Sequence, residues 1–383
     1  VFVTHKDNID SAGNIINAKK VTDISKTGLK LHYISSANIE ADNLSKMAKI
    51  AVERGNYAVI THGSDMHGDV VRLYNMMSFS DAIHADFAAV TGDITSYADR
   101  TGFSAFVNAM LGRKTNVIAT TGNHDIGFMP VGADSDTKKF NQLFSKLYNE
   151  YGYQNDKDKG YYYKDDAAHK LRVITLDQYE REGGSTAEFW EMHMNQAQVD
   201  FLINTLNSTP DGYSVVLAYH SPESKRDKIT NENNTFYQTD DGGGSDIPTV
   251  ISDIIDAFIG RETIDKSYTT YGVTAKADFS GAKATFVAHM TGHWHIDTVA
   301  YLPTKHTQLM LNISCMTASK GVQDGNALAE NVDLIRSRDG YYQDCFNTYI
   351  IDTDKKEVRI IRIGADLLKS GGERKYMTAS YAD

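Results

Sequence analysis

The sequence predicts a mixed α/β protein in which two β-sheets pack face to face with helices on the outside. Three observations lead there. Short apolar runs of strand length alternate with apolar residues at helical spacing through most of the chain. Near the C-terminus, strand-like runs follow one another with little helix between them. The 383 residues are 41% hydrophobic and 23% charged, which is ordinary globular composition and long enough to bury a sizeable core.

In chain order, Leu44, Met47, Ala48 and Ala51 fall at i, i+3, i+4, i+7 and predict one face of a helix. Tyr57 to His62, Phe87 to Val90 and Val117 to Thr120 read as short buried strands. Phe140, Leu143, Phe144 and Leu147 return to helical spacing, as do Val199, Leu202, Ile203 and Leu206. Leu171 to Leu176, Ser214 to Ala218 and Thr285 to Ala288 are strand-like again. Gln308 to Ile313, Tyr349 to Asp352 and Val358 to Ile363 close the series, and Asp352-Thr-Asp-Lys-Lys between the last two predicts a hairpin. Val1 to Lys30, Gln154 to Gly160 and Asn231 to Ser245 read as loops or appendages. No repeat recurs at a fixed period. The length admits two or three domains or one large α/β domain; the expected division is an N-terminal extension or attachment segment at residues 1–40 and a single domain at 41–383.

Lys+Arg 39 against Asp+Glu 50 leaves a net charge of −11, which disfavours nonspecific binding of long nucleic acid, because that needs a basic surface to release counterions. No apolar run approaches the length of a membrane-spanning helix. Two cysteines, Cys315 and Cys345, cannot build a disulfide scaffold; one bridge and two free thiols are equally open. With no membrane-spanning run a soluble protein is expected; the chain starts at Val1 with no export-signal pattern, so an export signal was removed or never existed, and the compartment and oligomeric state stay open.

Five of the strand-like runs each lead into side chains of metal-ligating type. They are Asp65-Met-His67, Gly92-Asp93, Gly122-Asn123-His124-Asp125, His220 and Gly292-His293-Trp-His295. In α/β sheets, ligands bind outside the carboxyl ends of the strands. Each cluster alone has an ordinary reading: surface polarity, a turn or a structural histidine. Five in this order do not. Carboxylate and imidazole without thiolate suit a pair of borderline divalent ions, among them Mn, Fe, Zn, Co and Ni. The glycines before Asp93, Asn123 and His293 permit sharp turns at a crowded site.

The order Asp-x-His, Gly-Asp, Gly-Asn-His-Asp, His, Gly-His-x-His resembles the calcineurin-like metallophosphoesterases, from about Ser64 to His295. The resemblance implies a four-layer α/β/β/α sandwich of two mixed sheets with a dinuclear metal site at the strand C-terminal ends. It implies that Asp65, His67 and His295 hold one metal, that Asn123, His220 and His293 hold the other, and that Asp93 bridges them, with His124 beside the scissile phosphate. The metals would be divalent or mixed-valence, with manganese, iron and zinc foremost. One position departs from the pattern: where many members carry Asp or Asn three residues after the bridging Asp, this chain has Ser96, which leaves Asp125 as a candidate to support His124.

The chemistry implied is hydrolysis of a phosphate mono- or diester, in a phosphorylated small molecule or polymer, by hydroxide formed from a water shared by the two metals. His124 would assist the leaving group. A nuclease or nucleotidase on the same site, or a structural or binding appendage of a cell surface or phage particle, is the alternative. Other residues have plainer expectations. His62 and His289 support the sheets, Tyr161 to Tyr163 form a hairpin surface, and Arg72 and Arg100 lie on solvated helix faces. Glu188 to Asn195 form an amphipathic cap, and Ser221 has no base to make it a nucleophile.

Overall fold

The computed structural model of the chain describes residues 37–96, 98, 100–126, 144, 146–154, 159–180, 192–223, 230–231, 234–235, 249–317, 323–324, 344–364 and 376–381. Strands β1 (Ala58–Gly63), β2 (Phe87–Thr91) and β3 (Asn116–Thr120) are followed by β4 (Tyr162–Asp166), β5 (Leu171–Thr175) and β6 (Ser214–Ala218). Then come β7 (Thr230–Asn231), β8 (Asn234–Thr235), β9 (Thr263–Tyr268), β10 (Val273–Asp278), β11 (Thr285–Thr291), β12 (Ile296–Tyr301) and β13 (Leu309–Asn312). The series ends with β14 (Gln323–Asp324), β15 (Cys345–Asp352), β16 (Glu357–Gly364) and β17 (Tyr376–Ser380).

One sheet has the order β17-β16-β15-β1-β2-β3, parallel across β1, β2 and β3 and antiparallel beyond. The second runs β4-β5-β6-β11-β13-β12-β7-β8, with β14 beside β12; it is parallel across β5, β6, β11 and β13. Strands β9 and β10 form a separate hairpin.

Alternation along the strands sorts the core into three layers. Ala58, Ile60, Phe87, Ala89 and Ile118 of the first sheet meet Val173, Val216, Ala218 and Met290 of the second. The alternate residues Val59, Ala88, Val90, Val117 and Ala119 turn outward to the helix Val70–Ala82 (Leu73, Met76, Met77) and the helix Arg100–Met110 (Phe103, Phe106). On the opposite side, Ile174, Val215, Leu217 and Phe286 pack on the helices Gln196–Asn207 and Val250–Gly260. The result is the expected α/β/β/α sandwich.

Some elements depart from the sequence reading. The helix Ala37–Glu53 forms, but Leu44 is 48% exposed while Asn43, Lys46 and Ile50 are buried. It packs against β16, and Arg359 of that strand donates to the Glu53 carbonyl, so strand contacts rather than the apolar spacing select the buried face. The expected division at residue 40 falls inside this helix; residues 1–36 lie outside the described ones. Phe140 and Leu143 lie outside them as well, while Phe144 and Leu147 are buried. Tyr162 is not on a surface: buried, its hydroxyl donates to the Ala119 carbonyl at 2.7 Å and accepts from the Ala119 amide at 2.8 Å. Arg72 is buried rather than solvated, because the helix turns it toward Asp344 at 3.4 Å and Asp69 at 3.7 Å. Arg100 and half of the expected cap (residues 188–191) are outside the described side chains. Both cysteines are free and buried. No helix among the described residues is long and apolar enough to cross a membrane.

Candidate metal centre

The seven parallel strands bring their carboxyl ends to one edge of the sandwich, and the loops leaving β1, β2, β3, β6 and β11 carry the predicted residues. Main-chain hydrogen bonds strap these loops together. Asp65 N donates to Gly92 O, His67 N to Asp93 O, Gly292 N to His220 O and Met316 N to Ser64 O.

Asp65, His67, Asp93, His293 and His295 all have φ between 45° and 68°, half of the ten non-glycine residues with positive φ among those described. That left-handed region costs an ordinary residue about 1–2 kcal/mol, so the concentration here marks a site whose side-chain directions are imposed by its surroundings. The glycines serve close approach. A β-carbon on Gly122 would lie 2.9 Å from His220 Nε2 and collide with Asp93, and one on Gly92 (φ 88°) would strike the His220 ring at 2.5–2.7 Å.

The seven residues form two groups around Asp93. In one, His295 Nε2 is 3.0 Å from Asp65 Oδ1 and 3.3 Å from His67 Nε2, and His67 Nε2 is 3.7 Å from Asp93 Oδ2. In the other, Asn123 Oδ1 is 3.2 Å from His220 Nε2 and 3.1 Å from His293 Nδ1, and His220 Nε2 is 3.3 Å from Asp93 Oδ1. Asp93 thus turns one carboxylate oxygen to each group. Ligands held about 2.0–2.2 Å from a cation stand about 3.0–3.6 Å from one another, so these spacings and the all-N/O donor set fit one divalent ion in each group.

The electrostatics agree. Burial pushes the Asp65 carboxyl up, but the His295 and His220 imidazoles outweigh it and hold the group at about 2. Burial likewise opposes ionisation of Asp93, yet His220, His67 and His124 hold it well below the usual carboxylate range. Burial works against a charge on His220, and Asp93 then Asp65 overcome it, raising its pKa. The site is built for positive charge.

His124 sits at the rim on the four-residue helix Asn123–Ile126, with Nε2 4.0 Å from Asp93 Oδ2. Its Nδ1 is 3.0 Å from the main-chain carbonyl of Ser96, whose hydroxyl donates to His67 O. The Asp125 carboxylate has other work: it accepts from the Ile94, Thr95 and Gly122 amides and the Thr95 hydroxyl. It fixes the turn after Asp93, while the Ser96 carbonyl holds the His124 ring. A main-chain acceptor has no signature in sequence.

His62 spans Tyr349 and Thr91 in the interior, and burial lowers its pKa to about 3. His289 is likewise internal, between Tyr219 and Gln308, and burial lowers it to about 4. The Ser221 hydroxyl is hydrogen-bonded to the Tyr179 hydroxyl. Sequence reading missed Asp177, Gln178 and Tyr179 beyond β5, which are buried against the Asn123 and His220 loops.

A layered α/β fold with this pair of side-chain groups at its strand ends defines the class of dinuclear phosphoester hydrolases. Residues 58–247 match the family model described as calcineurin-like phosphoesterase, and the chain belongs to that family. Metal-dependent phosphoester hydrolysis with two divalent cations is the activity this membership carries. No curated protein matches the chain by sequence. Among solved structures, a dimetal phosphatase from Danio rerio aligns over 85% of this chain and 99% of its own, at 11% identity and a TM-score of 0.52. A purple acid phosphatase from seeds of yellow lupin (Lupinus luteus) aligns over 85% of this chain and 54% of its own, at 10% identity and a TM-score of 0.43. A protein from Thermus thermophilus aligns over 85% and 99%, at 8% identity and a TM-score of 0.41.

Proposed function

We propose that the chain hydrolyses a phosphate mono- or diester, with Asp65, His67 and His295 holding one cation, Asn123, His220 and His293 the other, and Asp93 touching both. The observation that carries this reading is the division of the two Asp93 oxygens between the two groups, at 3.7 Å from His67 and 3.3 Å from His220. Cations held by these residues would supply Lewis acidity to the phosphoryl oxygens and would lower the pKa of a bound water.

The chain's own residues do the rest. His220 Nδ1 is 2.6 Å from the Thr91 carbonyl, which fixes the ring and aims Nε2 at Asn123 and Asp93. His124 donates from Nδ1 to the Ser96 carbonyl, which turns Nε2 toward Asp93 Oδ2 at 4.0 Å and makes it the nitrogen that would pass a proton to a leaving alkoxide. Asp125 keeps the Asp93 turn and the Gly122 turn in register.

The test is metal analysis of the purified protein followed by hydrolysis of p-nitrophenyl phosphate and bis-p-nitrophenyl phosphate with Mn²⁺. The expected result is two equivalents of metal per chain and turnover of at least one ester. A fully loaded protein inert to both would overturn the reading in favour of the scaffold role.

A further inference from the structure

Beyond β5 the chain continues as Asp177, Gln178 and Tyr179, all buried. Gln198 locks the first of these, accepting from Asp177 N at 2.8 Å and donating to Asp177 O at 2.9 Å. From that anchor the three side chains reach two loops of the metal centre. Asp177 accepts from the Thr121 hydroxyl, two residues before Asn123. Gln178 grips the main chain of Ser221 from both sides: its Oε1 accepts from Ser221 N at 2.7 Å and its Nε2 donates to Ser221 O at 2.7 Å. Tyr179 sets its ring edge-on to His220, with centroids 6.0 Å apart, and its hydroxyl meets the Ser221 hydroxyl.

Ser221 directly follows His220. A carboxamide that donates and accepts at one residue's amide and carbonyl acts like a strand neighbour, and it fixes the backbone at the place where β6 ends. His220 is therefore held on both sides, by Thr91 through its ring and by Gln178 through the next peptide unit. In the other group, Asp65 and His67 are strapped by main-chain bonds to Gly92 and Asp93, away from this grip, and only His295 is linked to it, through the Gly292 amide that donates to His220 O.

We propose that Gln178 is a positioning residue for the Asn123–His220–His293 group, acting on the affinity of that cation more than on that of the other. The inference rests on the two-cation reading above. Groups that orient a metal ligand from behind are worth about 10–100-fold in affinity. A buried glutamate at this position would be protonated, and the neutral acid both donates and accepts, so Gln178→Glu retains the grip; Gln178→Met keeps the volume and loses it.

The experiment is calorimetric titration of the cation-free protein with Mn²⁺, alongside the paramagnetic resonance signal of the coupled pair. The wild type should show two sites. Gln178→Met should weaken one site about 10–100-fold, change the other by less, and lose the coupled signal at limiting Mn²⁺. Gln178→Glu should stay within a few-fold of wild type. Two equally tight sites on Gln178→Met, equal weakening of both sites, or a Gln178→Glu as impaired as Gln178→Met would each overturn the inference alone. Fewer than two sites on the wild type would overturn the two-cation reading and this inference with it. Should Gln178→Met fail to fold, Gln178→Asn, one methylene too short for the grip, carries the same comparison.

Discussion

His220 Nε2 stands 3.3 Å from Asp93 Oδ1, a buried imidazole and a buried carboxylate that hold each other in charged form. A cation at this place must displace the imidazole proton, and with the His220 pKa raised to about 9 the competition runs through neutral pH. Mn²⁺ affinity of the His220 group is expected to rise with pH and level off above about 9, with protons released on binding. Titrations at several pH values in two buffers of different ionisation enthalpy read both effects; an affinity independent of pH would show that the cation does not displace the His220 proton.

His124→Ala should lower kcat roughly 10²–10⁴-fold and leave the metal content at wild-type level, because the ring lies at the rim and its Nδ1 is committed to Ser96. Steady-state kinetics with elemental analysis of the same sample separates the two. Unchanged turnover would remove the proton-donor role.

Gly122→Ala puts a methyl group against Asp93 and His220. Overpacking of this kind costs about 1–3 kcal/mol, and here it also spreads the groups that face the second cation. A lower urea midpoint together with weaker Mn²⁺ binding is expected, and wild-type values of both would contradict the packing at this turn.

Glu223 tests the fold rather than the site. Burial raises its carboxyl to about 8, against the amides of Ser252 and Ile251 that favour the ionised form. It accepts from Ser252 N at 2.8 Å at the start of the helix Val250–Gly260, whose Thr249 makes no side-chain cap. A carboxyl raised in the folded state stabilises most below its ordinary value of 4.5, and the contribution is eroded as pH climbs to about 8. Urea midpoints of the cation-free protein should therefore fall between pH 5 and pH 9, and Glu223→Gln should flatten that slope.

Cys315 and Cys345 are both buried thiols. A thiol reagent should find neither in the native protein within minutes and two after denaturation. Rapid native reaction, or none after denaturation, would contradict this.

The strand ends were legible because each short apolar run stops at a residue that has no business in a core, such as Asp65, Asp93 or His220. The supports were not. The Ser96 and Thr91 carbonyls carry no side-chain identity, and Gln178 looks like any polar residue after a strand. Nor was the orientation of the first helix readable, since Leu44, Ala48 and Ala51 make a better apolar stripe than the Asn43, Lys46 and Ile50 that are buried. Strand β12 and the β9–β10 hairpin were missed because charged and polar residues interrupt their apolar pattern.

The left-handed backbone at Asp65, His67, Asp93, His293 and His295 sets usefulness against durability. At about 1–2 kcal/mol each, these five conformations consume an amount comparable with the whole margin by which a domain stays folded. On the two-cation reading, a chain with glycine at His293 would therefore be sturdier without cations and poorer at holding them, so a search for heat-resistant variants would drift toward sequences that have discarded the centre.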